Sequence, residues 1–276
     1  MKVYQRKERI YIEDVFNFDL GQTFDCGQCF RWEENNGVYS AVAFGKFIKI
    51  GKENNRIFLE NSSLEDFNNI WKFYFDLETD YRLIGQSLSN LNPVLKRAYE
   101  FGSGIRILKQ EPWEVVCSFI ISQNNNIPRI KKIISRFCEN FGEPGGDLFT
   151  FPSADRVSTL SENDLLVIRS GFRAKYIIDA AKKVSSGAID FCALENMPLE
   201  DAIKSLKIVN GIGNKVATCV LLYALHRLDA FPIDVWMKKI MDKMFSGESP
   251  KFFGIYAGVA QQYLYHYFRA NSNLLS

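Results

Sequence analysis

Residues 206–240 contain the residue types whose spacing is best suited to chemistry. Two apolar segments with helical spacing flank a turn, Asn210 to Gly213, in which two glycines stand two residues apart. Such glycines allow a tight turn with positive φ, and they let bare backbone amides at a helix N-terminus approach a phosphate closely. Lys215 follows in the next helix, and Asp234 comes nineteen residues later. The glycines alone would indicate only a turn, so the lysine and the aspartate decide the interpretation.

Lys215 and Asp234 differ from ordinary surface charges in where they lie on their helices. Lys215 falls in the first turn of a predicted helix, where the helix dipole disfavours a positive charge by ~0.3–1 kcal/mol. A nucleophilic lysine must be neutral, and desolvation at a positive helix end increases the neutral fraction of such an amine. Most lysines are solvated surface residues, and that alternative stays open for Lys215 on these grounds alone. Asp234 is the expected N-cap of the following helix, and an ionised capping carboxylate suits the stabilisation of a developing cation.

The elements that must position these residues change in type along the chain. Val38–Ile50 and Arg56–Leu59 are rich in β-branched and aromatic residues and predict an antiparallel sheet, followed by a helix over Ser63–Phe75. From Asn92 onward the pattern predicts successive helices, over residues 112–121, 126–142, 174–184, 198–209, 215–225, 234–245 and 255–270, with a short one opening at 161–164. We therefore predict an α+β protein, with an antiparallel β domain over residues 1–92 and an all-α domain over residues 93–276.

Charge is distributed unevenly along the sequence. The 276 residues have a formal net charge of +2, with 47% apolar and 24% charged residues, which is typical of a globular protein and excludes wholesale disorder. Residues 202–243 hold seven lysines or arginines against three aspartates, and residues 96–140 hold eight against four glutamates. These two basic regions are compatible with a nucleic-acid partner, although ordinary solvated helix faces would give the same counts.

Six cysteines and two histidines limit the metal sites that the chain could build. Cys26-Gly-Gln-Cys29 has the spacing of a redox or zinc motif, but zinc needs four ligands and no second such pair exists in the sequence. We therefore interpret the cysteines as structural thiols. Residues 1–10 lack the apolar core of a signal peptide, and the longest strongly apolar run, residues 216–225, is far shorter than the ~20 residues of a membrane span. An intracellular protein without membrane attachment is expected.

The Gly-Ile-Gly-x-Lys sequence ending at Lys215, together with the Pro-x-Asp ending at Asp234, resembles the helix-hairpin-helix GPD superfamily of DNA base-excision glycosylases. The lysine is similar to that of the bifunctional members, which excise a base and then nick the strand by β-elimination. The endonuclease III branch also carries a C-terminal four-cysteine iron–sulfur loop, whereas this chain has no cysteine after Cys219. Four further segments resemble the 8-oxoguanine DNA glycosylases, namely Gly27–Trp32, Ser122–Arg129, Gly171–Tyr176 and Gly258–Tyr265.

The resemblance extends from about residue 15 to residue 270 and implies a TATA-binding-protein-like β domain followed by an all-α helix-hairpin-helix glycosylase domain. It implies that Lys215 attacks C1′ of the sugar, that Asp234 stabilises the cationic sugar, and that the Gly27 carbonyl accepts the N7–H that 8-oxoguanine has and guanine lacks. The other implied roles are base recognition by Gln261, Tyr265 and Cys219, opposite-base contact and wedging by Asn124, Arg129, Phe172 and Arg173, and phosphate binding at Gly211 and Gly213.

The implied partner is double-stranded DNA containing 8-oxoguanine, bound by a monomer in the cytoplasm or nucleoid if the source is a prokaryote. The implied steps need no metal or redox cofactor, and the family pattern allows a monovalent cation held by hairpin carbonyls. The sequence departs from that pattern at four positions: Asn210 replaces a common proline, Trp236 a phosphate-contacting histidine, Phe172 a common tyrosine, and Tyr265 a phenylalanine.

Three alternatives stay open at this stage. The first is a glycosylase of the same superfamily for alkylated purines, whose members generally lack a lysine at the position of Lys215. The second is a non-catalytic helix-hairpin-helix DNA-binding module, which has no use for Lys215 and Asp234 together. The third is a small-molecule or protein-interaction domain with a coincidental glycine turn, whose binding to DNA would not weaken with salt.

Overall fold

A six-stranded antiparallel sheet forms the N-terminal part of the computed structural model, which describes residues 1–275. The strands are β1 (Lys2–Arg6), β2 (Arg9–Glu13), β3 (Glu33–Asn35), β4 (Val38–Ala43), β5 (Lys46–Glu53) and β6 (Arg56–Glu60), in the order β1-β2-β6-β5-β4-β3. Residues of alternating register, such as Ile10, Ile48 and Leu59, are fully buried on one face. The sheet therefore packs this face on a core, while Tyr11, Val42 and Phe58 on the opposite face are also buried.

The first five helices in chain order are α1 (Leu20–Phe24), α2 (Leu64–Asp66), α3 (Lys72–Tyr74), α4 (Tyr81–Leu91) and α5 (Pro93–Gly102), of which α4 and α5 belong to the helical core. The predicted helix over Ser63–Phe75 is present, but it contains a π-helical segment, Phe67–Trp71, between α2 and α3. Ser63 and Asp66 close a capping box at its start, each side chain bonding the other residue's backbone amide. The segment buries Phe67 and Trp71 against the inner face of the sheet.

In the rest of the described chain the regular structure is helical, apart from a hairpin of two short strands, β7 (Pro144–Gly145) and β8 (Leu148–Phe149). Its helices are α6 (Pro112–Ser122), α7 (Ile127–Phe141), α8 (Ala154–Ser158), α9 (Ala174–Ser185), α10 (Phe191–Glu195), α11 (Leu199–Leu206), α12 (Asn214–Tyr223), α13 (Val235–Met244) and α14 (Ala257–Ala270). Short 3₁₀ segments occupy Asp164–Ile168, Gly171–Arg173, Pro250–Tyr256 and Ser272–Leu275. The α+β prediction, a sheet followed by a helical domain, is confirmed.

The hairpin of β1 and β2 was not predicted from the sequence. β1 is an edge strand, and its residues are exposed or half-buried, so it lacks the apolar run that marks a buried strand. The boundary between residues 92 and 93 stays a prediction. Within residues 1–275, the structure contains no helix with both the length and the apolar character that crossing a membrane requires.

A buried ionic cluster around Asp76 connects the segment after α3 with the end of α12. The Asp76 carboxylate lies 2.8 Å from Lys109 Nζ and 3.0 Å from His226 Nε2, and it accepts a 2.8 Å hydrogen bond from the Tyr81 hydroxyl. Burial alone would raise the pKa of Asp76, but the contacts with His226 and Lys109 outweigh burial and hold that pKa well below its usual range. The cluster therefore stabilises the fold through an ionised carboxylate.

We predict that Asp76→Ala lowers the free energy of unfolding by about 3–5 kcal/mol, because it leaves buried partners without an acceptor. Since the pKa is depressed in the folded state, this contribution is complete above about pH 4 and is lost as the pH falls further. Urea unfolding monitored by circular dichroism at pH 7 and at about pH 2 measures both effects. The matched control, Asp147→Ala, changes a carboxylate that is 75% exposed, and equal losses in the two variants would contradict the prediction.

Candidate active site

The turn between α11 and α12 has the conformation that its two glycines predict. Gly211 has a φ of +83°, and a Cβ built there would lie 2.5 Å from the ring of Tyr176, so a larger residue would be both strained and obstructed. Ile212 is buried beneath the turn, and its amide donates to the Val209 carbonyl at 3.1 Å. Gly213 is the N-cap of α12, and a Cβ built there would have no neighbouring atom within 4 Å. The first amides of α12 are thus open to an anion.

An ion pair on α9 holds the hairpin from the side. The Asn210 amide donates to Asp179 Oδ2 at 2.7 Å, and Lys183 Nζ lies 2.7 Å from both that oxygen and the Ile208 carbonyl oxygen. Asn210 therefore uses the amide that a proline at this position would lack. The Ile208 carbonyl accepts from an ammonium group and the Val209 carbonyl from a turn amide, and each oxygen keeps a second lone pair. A monovalent cation held by hairpin carbonyls stays a prediction.

Lys215 lies in the first turn of α12, half-buried, with its amine directed toward α6 rather than into bulk water. Its Nζ is 5.0 Å from the ring centroid of Phe119 and donates a 3.4 Å hydrogen bond to the Ser122 hydroxyl. The remainder of α12, from Val216 to Tyr223, is buried. Lys215, Cys219 and Tyr223 follow one another at four-residue spacing, so one face of the helix lines a cavity.

Asp234 lies on the wall of the same cavity. It is the N-cap of α13, as predicted, and its Oδ1 accepts a 2.7 Å hydrogen bond from the Met237 amide. Pro232, two residues before it, is buried and also lines the cavity. The structure thus brings a primary amine and a carboxylate to one concavity from two helix N-termini.

The same cavity is also lined by the four residues predicted to recognise the base: Gly27, Cys219, Gln261 and Tyr265. Gly27 has a φ of +91°, and a Cβ there would lie 3.6 Å from the Tyr265 ring. Burial raises the pKa of the Cys219 thiol to about 11, and burial together with the Asp234 carboxylate raises that of Tyr265. Both groups are therefore uncharged at neutral pH and offer polarisable surfaces to a planar ligand.

Three cavity residues were not singled out in the sequence: Phe119, Tyr223 and Gln262. The Gln262 amide donates to the Cys26 carbonyl at 3.0 Å, and the Tyr223 hydroxyl donates to Gln262 Oε1 at 2.6 Å. The adjacent glutamines 261 and 262 on an otherwise apolar helix are a signal that could have indicated them, because buried amides need specific partners.

The residues predicted to face the opposite base lie outside the cavity lining. Asn124 is exposed between α6 and α7 with a φ of +47°, Arg129 is exposed on α7, and Phe172 is 51% exposed. Arg173 is only 3% exposed, and its guanidinium donates to the carbonyls of Gln123, Asn124 and Ser170. Burial and the nearby Arg129 charge lower its pKa.

The exposed Phe172 ring lies 4.5 Å from the guanidinium carbon of Arg173. Phe172 is therefore joined to the Asn124 loop through Arg173. Trp236, which replaces the expected histidine, is 42% exposed in the first turn of α13, two residues after Asp234.

Cys26 and Cys29 are buried thiols, hydrogen-bonded to the carbonyls of Thr23 and Phe24. Burial raises the pKa of Cys26 to about 12 and that of Cys29 well above its usual range, so both are protonated. Among residues 1–275, no group of three or more histidines, cysteines, aspartates and glutamates has an arrangement that could hold a metal ion.

Two family models together match most of the chain. The N-terminal domain of 8-oxoguanine DNA glycosylase matches residues 10–116, and the HhH-GPD superfamily of base excision DNA repair proteins matches residues 117–251. The N-glycosylase/DNA lyase of Saccharomyces cerevisiae is 39% identical over 257 residues, which cover 80% of this chain and 66% of the yeast protein. The chain thus spans about two thirds of the length of that relative.

Solved structures agree over almost the full chain. The Clostridium acetobutylicum 8-oxoguanine glycosylase/lyase, in complex with double-stranded DNA containing cytosine opposite 8-oxoguanine, is 36% identical, with a TM-score of 0.92 and 99% of each chain covered. MBOgg1, in complex with a low-affinity DNA ligand, is 40% identical, with a TM-score of 0.92, 98% of this chain covered and 99% of that one. This chain therefore belongs to the 8-oxoguanine DNA glycosylase family within the HhH-GPD superfamily of base excision DNA repair proteins.

Proposed function

We propose that the protein is a bifunctional DNA glycosylase, which excises 8-oxoguanine from double-stranded DNA and nicks the strand at the resulting abasic site. The observation that carries the proposal is the convergence of Lys215, Asp234, Gly27 and Gln261 on one cavity. The glycosylase/lyase names of its relatives and the DNA in two similar solved structures support the same activity.

Recognition of the base begins with its removal from the duplex, at a cost of a few kcal/mol. We infer that Asn124 and Phe172 fill the gap and that the exposed Arg129 contacts the orphaned base. Arg173 would do the same only after its guanidinium leaves the carbonyls of Gln123, Asn124 and Ser170. In the cavity, the Gly27 carbonyl accepts from N7–H of 8-oxoguanine and repels the N7 lone pair of guanine. Gln261 pairs with the Watson–Crick edge, and Cys219 and Tyr265 lie against the two faces of the base. These polar contacts, rather than the shape of the cavity, provide the selectivity.

Chemistry follows at the sugar. The lone pair of the neutral Lys215 amine forms a bond to C1′ while the bond from C1′ to the base nitrogen breaks, and the base leaves with that electron pair and takes up a proton. The sugar ring opens to a Schiff base, a 2′ proton is removed, and the C3′–O3′ bond breaks with release of the 3′ phosphate. Asp234 stabilises the cationic sugar throughout, and none of these steps needs a metal or redox cofactor.

DNA binding would rest on the hairpin and on the residues at the rim of the cavity. Bare amides at Gly211 and Gly213 and at the start of α12 would hold a backbone phosphate, and the basic residues of α7 and α13 would add charge. We propose that the protein acts as a monomer on intracellular DNA, in the cytoplasm or nucleoid if the source is a prokaryote.

The nucleophile is tested by reductive trapping. We expect borohydride to trap a covalent complex between the protein and a duplex containing 8-oxoguanine, and Lys215→Gln to abolish trapping while leaving DNA binding, because only an amine can form a Schiff base. Lys96→Gln, on the exposed side of α5, is the matched control and should trap like the parent. Equal trapping by the Lys215 variant would show that another amine is the nucleophile. A methylpurine duplex tested in parallel addresses the alkylated-purine alternative.

The charge of Asp234 is tested separately from its capping role. Asparagine caps helices as well as aspartate does, so Asp234→Asn should leave the melting temperature almost unchanged. Excision of 8-oxoguanine should nevertheless fall about 100-fold or more in single-turnover kinetics, since a neutral amide cannot stabilise the cationic sugar. An Asp234→Asn variant with a much lower melting temperature, or one that excises 8-oxoguanine at the parental rate, would contradict the proposed role of the Asp234 charge.

The contribution of Asp179 to the position of the hairpin is tested by substitution. Asp179→Ala removes the carboxylate that holds the Asn210 amide, and we expect the Kd for duplex DNA to rise about five- to tenfold, because a mobile hairpin must be ordered on binding. Asp201→Ala, which breaks an exposed Asp–Lys pair on α11, is the control and should bind like the parent. Fluorescence anisotropy with a duplex that contains a non-cleavable abasic analogue measures the Kd of each variant. A Kd for Asp179→Ala equal to that of the parent would show that Asp179 does not hold the hairpin for DNA binding.

A further inference from the structure

A buried chain of hydrogen bonds leads from α12 through α14 to the loop that contains Gly27. The Tyr223 hydroxyl donates to Gln262 Oε1 at 2.6 Å, and Gln262 Nε2 donates to the Cys26 carbonyl at 3.0 Å. Gln262 is 1% exposed and Tyr223 4% exposed, and both line the cavity of Lys215. The two ends of the Gln262 amide are therefore engaged in opposite directions, which determines its orientation.

The Cys26 carbonyl belongs to the peptide bond that joins Cys26 to Gly27. A hydrogen bond to that carbonyl holds the peptide plane on the N-terminal side of Gly27. On the C-terminal side, the Gln28 carbonyl accepts a 2.9 Å hydrogen bond from Gln110 Nε2, and the Leu108 amide donates to Gln28 Oε1 at 2.9 Å. Gly27 thus lies between two residues that are each held by buried amides.

This restraint matters because glycine, which has no Cβ, has the least restricted backbone of all residues. At a φ of +91°, Gly27 could adopt many neighbouring conformations at little cost, and each would move its carbonyl oxygen. Selection for 8-oxoguanine depends on that one oxygen facing N7–H. A buried amide without partners would cost more than an apolar residue in the same place, so Gln262 is useful at this position only through its two hydrogen bonds.

We propose that Gln262, oriented by Tyr223, is a positioning residue for the Gly27 carbonyl and thereby sets the selectivity for 8-oxoguanine over guanine. Gln262 itself need not touch the base, since Gln261, the preceding residue on α14, is the one proposed to pair with it. The inference rests on the proposed function. It adds that selectivity depends on residues from α12 and α14 that hold a loop of the N-terminal part of the chain.

The test compares a reaction that needs base recognition with one that does not. Gln262→Met keeps the side chain's approximate volume and removes both hydrogen bonds, so we expect single-turnover excision of 8-oxoguanine to fall about tenfold or more. Nicking of a duplex with a preformed abasic site, where no base is present, should stay within about twofold of the parent. Tyr223→Phe removes a hydroxyl that lies 2.6 Å from Gln262 Oε1 and 3.4 Å from Gln261 Oε1, and it should give a smaller loss of the same kind. Because it touches both glutamines, the result with Gln262→Met decides.

Tyr263→Phe is the matched control. It removes a hydroxyl from a neighbouring buried tyrosine of α14, one that has no hydrogen-bond partner among the described residues, and should change neither reaction. Parental excision of 8-oxoguanine by Gln262→Met would overturn the proposal, and so would an equal loss of excision and abasic-site nicking, which indicates a general structural role. Failure of the proposed function is a separate result, because the parent protein would then excise no 8-oxoguanine.

Discussion

The burial of α12 is the constraint on which the rest of the structure depends. Every residue from Val216 to Tyr223 is buried, so the helix can neither rotate nor slide without exposing apolar surface. Its N-terminus, with Gly213 as cap and Lys215 in the first turn, is thereby held at the cavity. At its other end, His226 belongs to the cluster around Asp76, which connects the helix to the segment after α3. The Lys215 amine is thus placed by a helix that is fixed by burial rather than by a loop.

The cavity combines groups with distinct electrostatic roles. Burial raises the pKa of Cys219 and of Tyr265, so both are neutral, and a base bound between them as proposed would meet no charge there. The amine of Lys215 and the carboxylate of Asp234 come from the N-termini of two different helices, where backbone dipoles favour an anion and disfavour a cation.

Sequence reasoning succeeded where residue type and local spacing carry the information. The turn at Gly211, the first-turn position of Lys215 and the N-cap Asp234 follow from rules that act within a few residues, and the structure has all three. β1 escaped prediction because an exposed edge strand has little apolar pattern, whereas β2 was missed although its Ile10 and Ile12 are buried. Gln262 and Tyr223 escaped because their role depends on Cys26, which is far from both in sequence. The burial of Arg173 likewise depends on carbonyls about 50 residues earlier in the chain.

The most direct test of the central claim is the site of covalent attachment. The protein is reacted with an 8-oxoguanine duplex in the presence of borohydride, digested with protease, and the reduced adduct is located by mass spectrometry. We expect the sugar remnant to be attached to Nζ of Lys215. Attachment to the amino group of Met1 or to a different lysine, with Lys215 unmodified, would contradict it.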